Sequence, residues 1–368
     1  MKNILLVLGV FVAAGLFFAC KKNDQGPSVT DNILDYKIEE IPVTSDYVVG
    51  AFYNYYANFN ANVTEVPVIG KYNMPGGVVA PAVMQAHIAD AGRAGLDYFV
   101  FSYRSPSLDL NNYKIDSTVI RSFLTQDSTV NMKFALQYSF NPSTYGISTT
   151  SPLENNATKL EQFFQDIIRV QYLFANKNYI KVNGKILLYL FNAATLYSNN
   201  NPAIYATLRS RLSALGFDLY IVGYQERWSP PARYPFRFQN CVDAIYHQSY
   251  IPNTWDRFYL LPQTMDQNWE YSRSYFKTNY NVSYVPNIFP AYNWKIANPT
   301  STNPNVSRTD TGAMYRQLCN VAKMNADQST RLILIDNFND WQEDMQLEPA
   351  VSYGDLYLNI TKQEFKKN

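Results

Sequence analysis

The 368-residue sequence contains 31 Lys and Arg against 30 Asp and Glu, which gives a formal net charge of +1. This balance argues against nucleic acid as a partner, because binding to phosphates requires clustered positive charge. Hydrophobic residues make up 47% and charged residues 17% of the chain, which is typical of a globular protein rather than a disordered one.

The N-terminal residues predict an export signal. Lys2 precedes an apolar run over residues 4–19, and Cys20 follows directly. This arrangement resembles a bacterial lipobox in which Cys20 becomes the lipidated N-terminus, although Phe17 stands where Leu is usual. Lys21 after the cysteine favours the outer membrane over the inner one. An uncleaved membrane anchor is the alternative, and in either case the folded part lies outside the cytoplasm.

We therefore interpret residues 1–19 as a lipoprotein signal peptide, 20–45 as a polar tether that joins the lipid anchor to the protein, and 46–368 as a single folded domain. Apolar runs alternate with helical patterns along this domain. Eight runs predict strands: Tyr47–Tyr53, Asp97–Tyr103, Met132–Ser139, Lys185–Phe191, Asp218–Tyr224, Val242–Tyr246, Val282–Ile288 and Arg331–Asn337. Helical patterns cover residues 81–94, 156–175, 202–215 and 311–324.

Eight short buried strands, mostly separated by helices, predict an α/β fold, a (β/α)8 TIM barrel. An open doubly wound sheet is the alternative, but no glycine-rich phosphate loop follows the first strand. Long loops follow strands two, five and seven, at residues 104–111, 225–240 and 291–308. All three would lie on the carboxyl face of the barrel, where active sites of this fold are built.

Cysteine and histidine are scarce beyond the signal. Cys241 and Cys319 either pair or remain buried thiols. With only His87 and His247, the chain has few ligands for zinc and little room for a Ser-His-Asp triad, so we predict neither a metal nor a cofactor. His247 follows an apolar run and either lines a pocket or belongs to the core.

The most informative segment is Leu332–Pro349, where an apolar strand opens into clustered acids around a tryptophan. Asp340 and Glu343 are three residues apart, so one tight turn would bring both carboxylates to the same face. Paired carboxylates are the working groups of many glycosidases. A solvated acidic loop is the alternative interpretation. The other members of the cluster are Asp336, Trp341, Asp344 and Glu348.

Aromatic and polar residues at other predicted strand ends are candidates for substrate binding. Tyrosine is abundant, with 30 residues, and its flat ring and hydroxyl suit contacts with sugars. For each aromatic residue, packing in the core is the alternative. For Glu226 the alternative is an ion pair with Arg227 or Arg233. The candidates are Tyr53 and Tyr55, Tyr103 and Arg104, Glu226 and Trp228, His247, Tyr292 and Trp294, and Trp341 beside the acids.

Three segments resemble a known family. The segment NFNDWQEDMQLEP, followed by Ser352-Tyr353-Gly354, is similar to a signature of glycoside hydrolase family 99 and its WbsX-like relatives, in which Asn-Glu-Trp-x-Glu-Gly leads to Glu-Pro and then Tyr-Gly. Residues 178–185 resemble the entry to that family's fourth strand, and residues 91–98 the approach to its second strand. The matches follow the family's order over most of the chain.

The resemblance implies a barrel that cleaves α-mannosidic or related bonds internally, with retention and without a metal. By resemblance, Asp340 assists the sugar 2-hydroxyl as it attacks the anomeric carbon, which gives a 1,2-anhydro intermediate. Glu343 acts as general acid on the leaving oxygen and then as general base for water. Glu348 with Pro349 anchors the loop.

The sequence departs from the family pattern at two positions. Asp340 stands where the family has Glu, and Asp344 stands where it has Gly. The shorter side chain withdraws the carboxylate by about 1.5 Å, and a misplacement of about 1 Å can cost ~100-fold in rate. Three consequences of the shorter side chain are open: the backbone moves the carboxylate inward, the mechanism differs, or activity is lost. A further alternative is that Asp340 is a helix cap or a loop-bonding residue.

Three hypotheses follow for the function. The first is a lipid-anchored glycoside hydrolase that uses Asp340 and Glu343 on a glycan or polysaccharide. The second is a catalytically silent glycan-binding lipoprotein on the same barrel, which the substitution at Asp340 favours. The third is a structural lipoprotein without a sugar ligand.

Overall fold

The computed structural model describes residues 36–126, 132–230, 237–250, 260–308 and 311–367. Its strands are short and rich in Val, Ile, Leu, Phe and Tyr, the residues that best fit a buried pleated surface. The strands are β1 Val48–Tyr53, β2 Tyr98–Arg104, β3 Lys133–Ser139, β4 Lys181–Val182, β5 Lys185–Leu190, β6 Leu219–Gln225, β7 Ala244–His247, β8 Ser283–Val285, β9 Asn287–Ile288 and β10 Leu332–Ile335.

These strands form one sheet that nearly closes into a barrel. The order is β8-β7-β6-β5-β3-β2-β1-β10-β9, and all neighbours in it are parallel; β4 forms an antiparallel pair with β5. The predicted seventh strand is interrupted at Pro286, which lacks an N–H group. Its first part pairs with β7 and its second part with β10, so it bridges the two ends of the sheet. The prediction of a single-domain (β/α)8 barrel is confirmed.

Helices cover the outside of the barrel and follow most strands. The helices of eight residues or more are Pro81–Arg93, Leu110–Leu124, Ala157–Ile168, Asn201–Ser213, Leu261–Tyr280, Ala313–Asn325 and Leu356–Phe365. Several begin with a side-chain cap that satisfies an orphan N–H group: Asp109, Asn156 and Asn200 each accept a hydrogen bond from the third residue after them. The last helix, Leu356–Phe365, follows the loop after β10 and has 10 residues.

Side chains alternate between the barrel interior and the helix layer, as the period of two in a strand requires. Tyrosines fill much of the interior, where the hydroxyls of Tyr98 and Tyr189 are 2.7 Å apart. Gly50 faces the Tyr98 ring, and because glycine has no side chain, the ring fits in the space that a Cβ atom would otherwise occupy. On the other face, Phe99 and Phe101 of β2 pack against Phe123 of a covering helix. The inner face therefore holds buried hydroxyls, and Phe99 and Phe101 make this part of the outer face apolar.

The predicted signal peptide and Cys20 lie outside the described residues. Within the described part of the chain, no helix has the length and apolar character to cross a membrane. Residues 38–45 run along the helix Ala313–Asn325, where Asn320 accepts a hydrogen bond from the N–H of Ile41 at 2.7 Å. Cys241 and Cys319 are both buried thiols, and no disulfide joins them.

We predict that Gly50→Ala destabilises the barrel by about 1–3 kcal/mol, because the added methyl group would overlap the Tyr98 ring in a filled interior. Thermal unfolding followed by circular dichroism measures the effect. Gly92→Ala is the matched control, since a methyl group there meets no atom within 4 Å and alanine favours a helix. Equal melting temperatures for the two variants would contradict this packing argument.

Candidate active site

The loop after β10 folds back onto the barrel edge. All four residues of β10 are fully buried, and the chain leaves the barrel at Asp336. The N–H of Phe338 donates to the carbonyl of Phe52 at the end of β1, and the N–H of Glu348 donates to the carbonyl of Phe338. The segment 336–350, here called the acidic loop, is thereby fixed at the carboxyl ends of the strands, the face that carries active sites in barrel enzymes.

Asp340 lies deep in the acidic loop and is 6% exposed. Its Oδ1 accepts a hydrogen bond from the N–H of Gln342 at 3.1 Å, and its carbonyl accepts one from Met345. Burial raises the pKa of Asp340 to about 6, the charge of Asp336 adds to this rise, and backbone N–H groups oppose it. At pH 7 the carboxyl group of Asp340 is therefore mostly ionised.

Glu343 is half-buried, and its carbonyl accepts a hydrogen bond from the N–H of Asn293 at 2.6 Å. Burial, together with the negative charges of Asp340 and Asp336, raises the pKa of the Glu343 carboxyl to about 8. Glu343 is thus mostly protonated at pH 7. Two neighbouring carboxyls with opposite protonation states are the arrangement that acid–base chemistry at neutral pH requires.

Asp336 adds a third carboxylate to the site, at the point where β10 ends. Its Oδ1 accepts a hydrogen bond from Asn287 Nδ2 at 2.8 Å. Burial raises the pKa of Asp336, and the hydrogen bond from Asn287 opposes the rise. The sequence analysis placed Asp336 in the acidic cluster without a role of its own.

Glu348 is held by several hydrogen bonds in the core between the barrel and the helices. It is 1% exposed, and its Oε2 accepts hydrogen bonds from Tyr72 Oη and Trp341 Nε1, both at 2.7 Å. Its Oε1 lies 3.2 Å from His87 Nε2, and Tyr53 Oη lies 2.8 Å from the other ring nitrogen. This geometry agrees with the anchoring role expected for Glu348.

Asp344 has a left-handed backbone conformation, with φ of 56°. Glycine adopts this conformation without steric cost, which explains why the resembled pattern has Gly at this position. In this chain Arg308 binds the aspartate: Nε donates to Asp344 Oδ1 at 2.8 Å, and Nη2 donates to the carbonyls of Asp344 and Gln346. The loop after the seventh strand therefore holds the acidic loop in its strained conformation.

A cleft of about 340 Å³ opens at the barrel mouth, and we call it the barrel-mouth cleft. Phe191 is 43% exposed at its edge and stacks on Tyr224, with ring centroids 4.7 Å apart and planes at 13°. Such a flat exposed ring suits the apolar face of a sugar. The lining residues are Phe52, Tyr53, Asn54, Ser102, Gln137, Phe191, Tyr224, Tyr246, Gln248, Asn287, Asp336 and Asn337.

Tyr292 directly precedes Asn293, whose N–H donates to the carbonyl of Glu343 at 2.6 Å. Burial raises the pKa of the Tyr292 hydroxyl, and the charges of Glu343, Asp340 and Asp336 add to this rise. Trp294 is half-buried in the same loop. Trp341 is 1% exposed and packs on Phe59, so most of its ring is enclosed by protein.

Other predicted binding residues face the helix layer. The Tyr53 ring packs on His87, and Tyr103 Oη donates to the carbonyl of Asp166. His247 is fully buried beside Tyr284, and burial lowers its pKa to about 3, so the imidazole is neutral.

The remaining candidates lie around the rim. Arg104 forms a bidentate ion pair with Asp116 of the helix Leu110–Leu124, and Tyr55 lies near this arginine. Trp228 is 7% exposed and donates from Nε1 to the carbonyl of Gln248. Glu226 is exposed, and its charge contributes to the raised pKa of Tyr224. Arg233, its alternative partner, lies outside the described residues.

Sequence reasoning missed several cleft residues, namely Phe191, Tyr224, Gln137 and Asn287. Phe52, Tyr224 and Tyr246 contact the interior cluster of the barrel, and Gln137 lies on the same inward face. Side chains alternate between the two faces of a strand, so the sequence alone could have separated these inward-facing residues from Tyr53 and Tyr103, whose side chains face the helix layer. In the described ranges, no group of three or more His, Cys, Asp or Glu is arranged to bind a metal.

Comparisons with known proteins concern the family and the fold of the chain. A family model described as "Glycosyltransferase WbsX" matches residues 150–361. A solved structure described as a glycoside hydrolase-like protein is 29% identical, with a TM-score of 0.78, over 92% of this chain and 99% of that one. The GH99 endo-α-mannosidase of Bacteroides thetaiotaomicron is 20% identical, with a TM-score of 0.61, over 87% of this chain and 97% of that one. Among curated proteins, none matches.

Proposed function

The chain belongs to the WbsX family, and from this membership and the carboxyl pair of the acidic loop we propose that it is a glycoside hydrolase acting on α-mannosidic or related bonds. The observation that carries the proposal is that two carboxyls three residues apart in one fixed loop differ in burial and in backbone hydrogen bonds, which separates their pKa values. Asp340, with a pKa of about 6, is a base at pH 7, and Glu343, with a pKa of about 8, is an acid.

In the first step Asp340 takes the proton of the sugar 2-hydroxyl while that oxygen attacks the anomeric carbon. The bond from the anomeric carbon to the leaving oxygen breaks, and Glu343 gives its proton to that oxygen. The products are a 1,2-anhydro sugar, a released alcohol, a protonated Asp340 and an ionised Glu343. Both groups start in the protonation state that this step needs.

In the second step Glu343 takes a proton from water, whose oxygen attacks the anomeric carbon and opens the anhydro ring. Asp340 returns its proton to the 2-oxygen, so both carboxyls regain their starting states. Two inversions at one carbon give net retention, as the family resemblance implies. The short Asp340 side chain is held in place by the N–H of Gln342.

The description of the family names a glycosyltransferase. Transfer of a sugar from a nucleotide donor must therefore be weighed against hydrolysis of a glycoside. Transfer from a nucleotide sugar requires cations that bind its diphosphate, usually Arg, Lys or a metal. The described residues that line the barrel-mouth cleft include neither Lys nor Arg, whereas Lys295 and Arg308 line a second cleft beside Trp341 and Asp344. Arg308 is already bound to Asp344 and to two carbonyls of the acidic loop. A protonated Glu343 beside the leaving oxygen suits an ordinary glycoside, which leaves only when it is protonated, and on this ground we favour hydrolysis.

One observation favours a second candidate, a glycan-binding protein without catalysis. Asp340 accepts a hydrogen bond from its own loop, as a turn-stabilising aspartate does. In this second function the aromatic cleft would hold a sugar without cleaving it.

We predict that Glu343→Gln lowers kcat/KM on an α-mannan oligosaccharide by roughly 10²- to 10⁴-fold, because the leaving oxygen loses its proton donor. Asp340→Asn should cost about as much. A glycosyl fluoride separates the two roles: its leaving group needs little protonation, so only Asp340→Asn should remain strongly impaired. Reducing-sugar assays and fluoride release give the rates.

Glu161→Gln is the matched control, since Glu161 is exposed on an outer helix and pairs with Arg211. Activity that survives in Glu343→Gln would exclude the hydrolase assignment. Calorimetric binding of the same glycan without any product, in the wild type and in both variants, would establish the second candidate.

We predict a bell-shaped dependence of kcat/KM on pH. Activity should rise as Asp340 ionises through about 6 and fall as Glu343 loses its proton through about 8. Initial rates between pH 4 and 10 measure both limbs. A profile that keeps rising beyond pH 9 would contradict the role of Glu343 as the acid.

We also propose that the chain is an outer-membrane lipoprotein anchored through Cys20, which the lipobox-like sequence supports. The expected result is a diacylglycerol-modified Cys20 in the mass spectrum of the membrane fraction, and loss of membrane association in Cys20→Ala. An unmodified N-terminus that begins elsewhere would refute the anchor.

A further inference from the structure

The floor of the barrel-mouth cleft contains an acceptor without a donor. Asn287 lines the cleft and is 1% exposed. Its Nδ2 donates to Asp336 Oδ1 at 2.8 Å and to the carbonyl of His247 at 3.2 Å, so both of these neighbours are acceptors and fix the orientation of the amide. Its Oδ1 has no hydrogen-bond partner among the described residues. A buried acceptor of this kind requires a donor from a water or a ligand.

The same cleft contains one acidic side chain and no basic one. Among the described residues that line it, Asp336 alone has an acidic or basic side chain. Its Oδ1 is held at 2.8 Å by Asn287, which fixes the acid in the cleft lining. An anionic ligand would lose its hydration here and gain no opposite charge in return.

The wall of the cleft suits a sugar ring. Phe191 is exposed and stacked on Tyr224, which holds its ring in place. A pyranose that packs against Phe191 would present its hydroxyls to the polar residues of the lining, among them Gln137 and Gln248. Shape and polarity thus point to one hexose unit in a cleft of about 340 Å³.

We propose that Asp336 and Asn287 accept hydrogen bonds from sugar hydroxyls, and that Asp336 determines specificity by admitting uncharged glycans and rejecting those with carboxylate or sulfate groups. This inference rests on the proposed function for its class of ligand, but it concerns binding alone. Asp336 directly follows β10, four residues before Asp340, and is proposed here as a binding residue rather than as a catalytic one.

The test uses two probes: an α-mannan trisaccharide, and the same trisaccharide after oxidation of its C6 hydroxymethyl groups to carboxylates. Calorimetry on the full chain gives both affinities, and hydrolysis of each probe is followed in parallel. We expect wild type to prefer the uncharged probe by roughly 10- to 100-fold, the factor that one hydrogen bond to a charged group carries.

Asp336→Asn keeps an acceptor oxygen and removes the charge, so the preference should narrow to a few-fold while the uncharged probe still binds. Asn337→Asp adds a second carboxylate to the lining and should widen the preference, which tests the charge argument independently of Asp336. Glu161→Gln removes one charge on an outer helix and should change neither affinity.

Equal affinities for the two probes in wild type, binding of neither probe, or a preference that is unchanged in Asp336→Asn and in Asn337→Asp would each overturn the inference. Charge discrimination without hydrolysis of either probe would leave the inference standing and refute the hydrolase function. Hydrolysis of both probes at equal rates would support the hydrolase function and refute the inference.

Discussion

The geometry of the site depends on one buried carboxylate, Glu348. Tyr72 and Trp341 donate to it at 2.7 Å and His87 lies at 3.2 Å, so one side chain connects the acidic loop to a covering helix and to the loop after β1. Because Glu348 is 1% exposed, removal of any partner would leave polar groups without compensation. Trp341, between the two catalytic candidates, is held by the same group. Glu348 thus fixes the acidic loop that carries Asp340 and Glu343.

This fixation explains how two carboxyls of one loop have different acidities. Burial is the largest cause of the raised pKa for both Asp340 and Glu343, so a loop free to swing into water would lose the effect. Backbone N–H groups bind the ionised form of Asp340 and oppose the rise. Glu343 has no such opposing hydrogen bond in the described part of the chain and feels the charges of Asp340 and Asp336. Local backbone geometry thus contributes to the lower pKa of Asp340.

Much of the fold could be predicted from the sequence, because each barrel strand is a short apolar run with its own boundary signals. Pro286 was visible in the seventh run, but only the structure shows that the two halves pair with different neighbours. At the site, the spacing of Asp340 and Glu343 placed both in one loop. Asn287 and Phe191 could not be predicted in this way, because their roles arise from contacts across strands that are distant in sequence.

Asp344 has a consequence for the thermodynamics of substrate binding. A glycine at this left-handed position would leave the free loop many conformations to lose when a glycan arrives. Aspartate has fewer conformations than glycine in the unfolded chain. In the folded chain, its ion pair with Arg308 offsets the strain of the left-handed backbone. The loop therefore loses its conformational entropy during folding, and a glycan of the kind proposed above would retain more of its contact free energy as affinity.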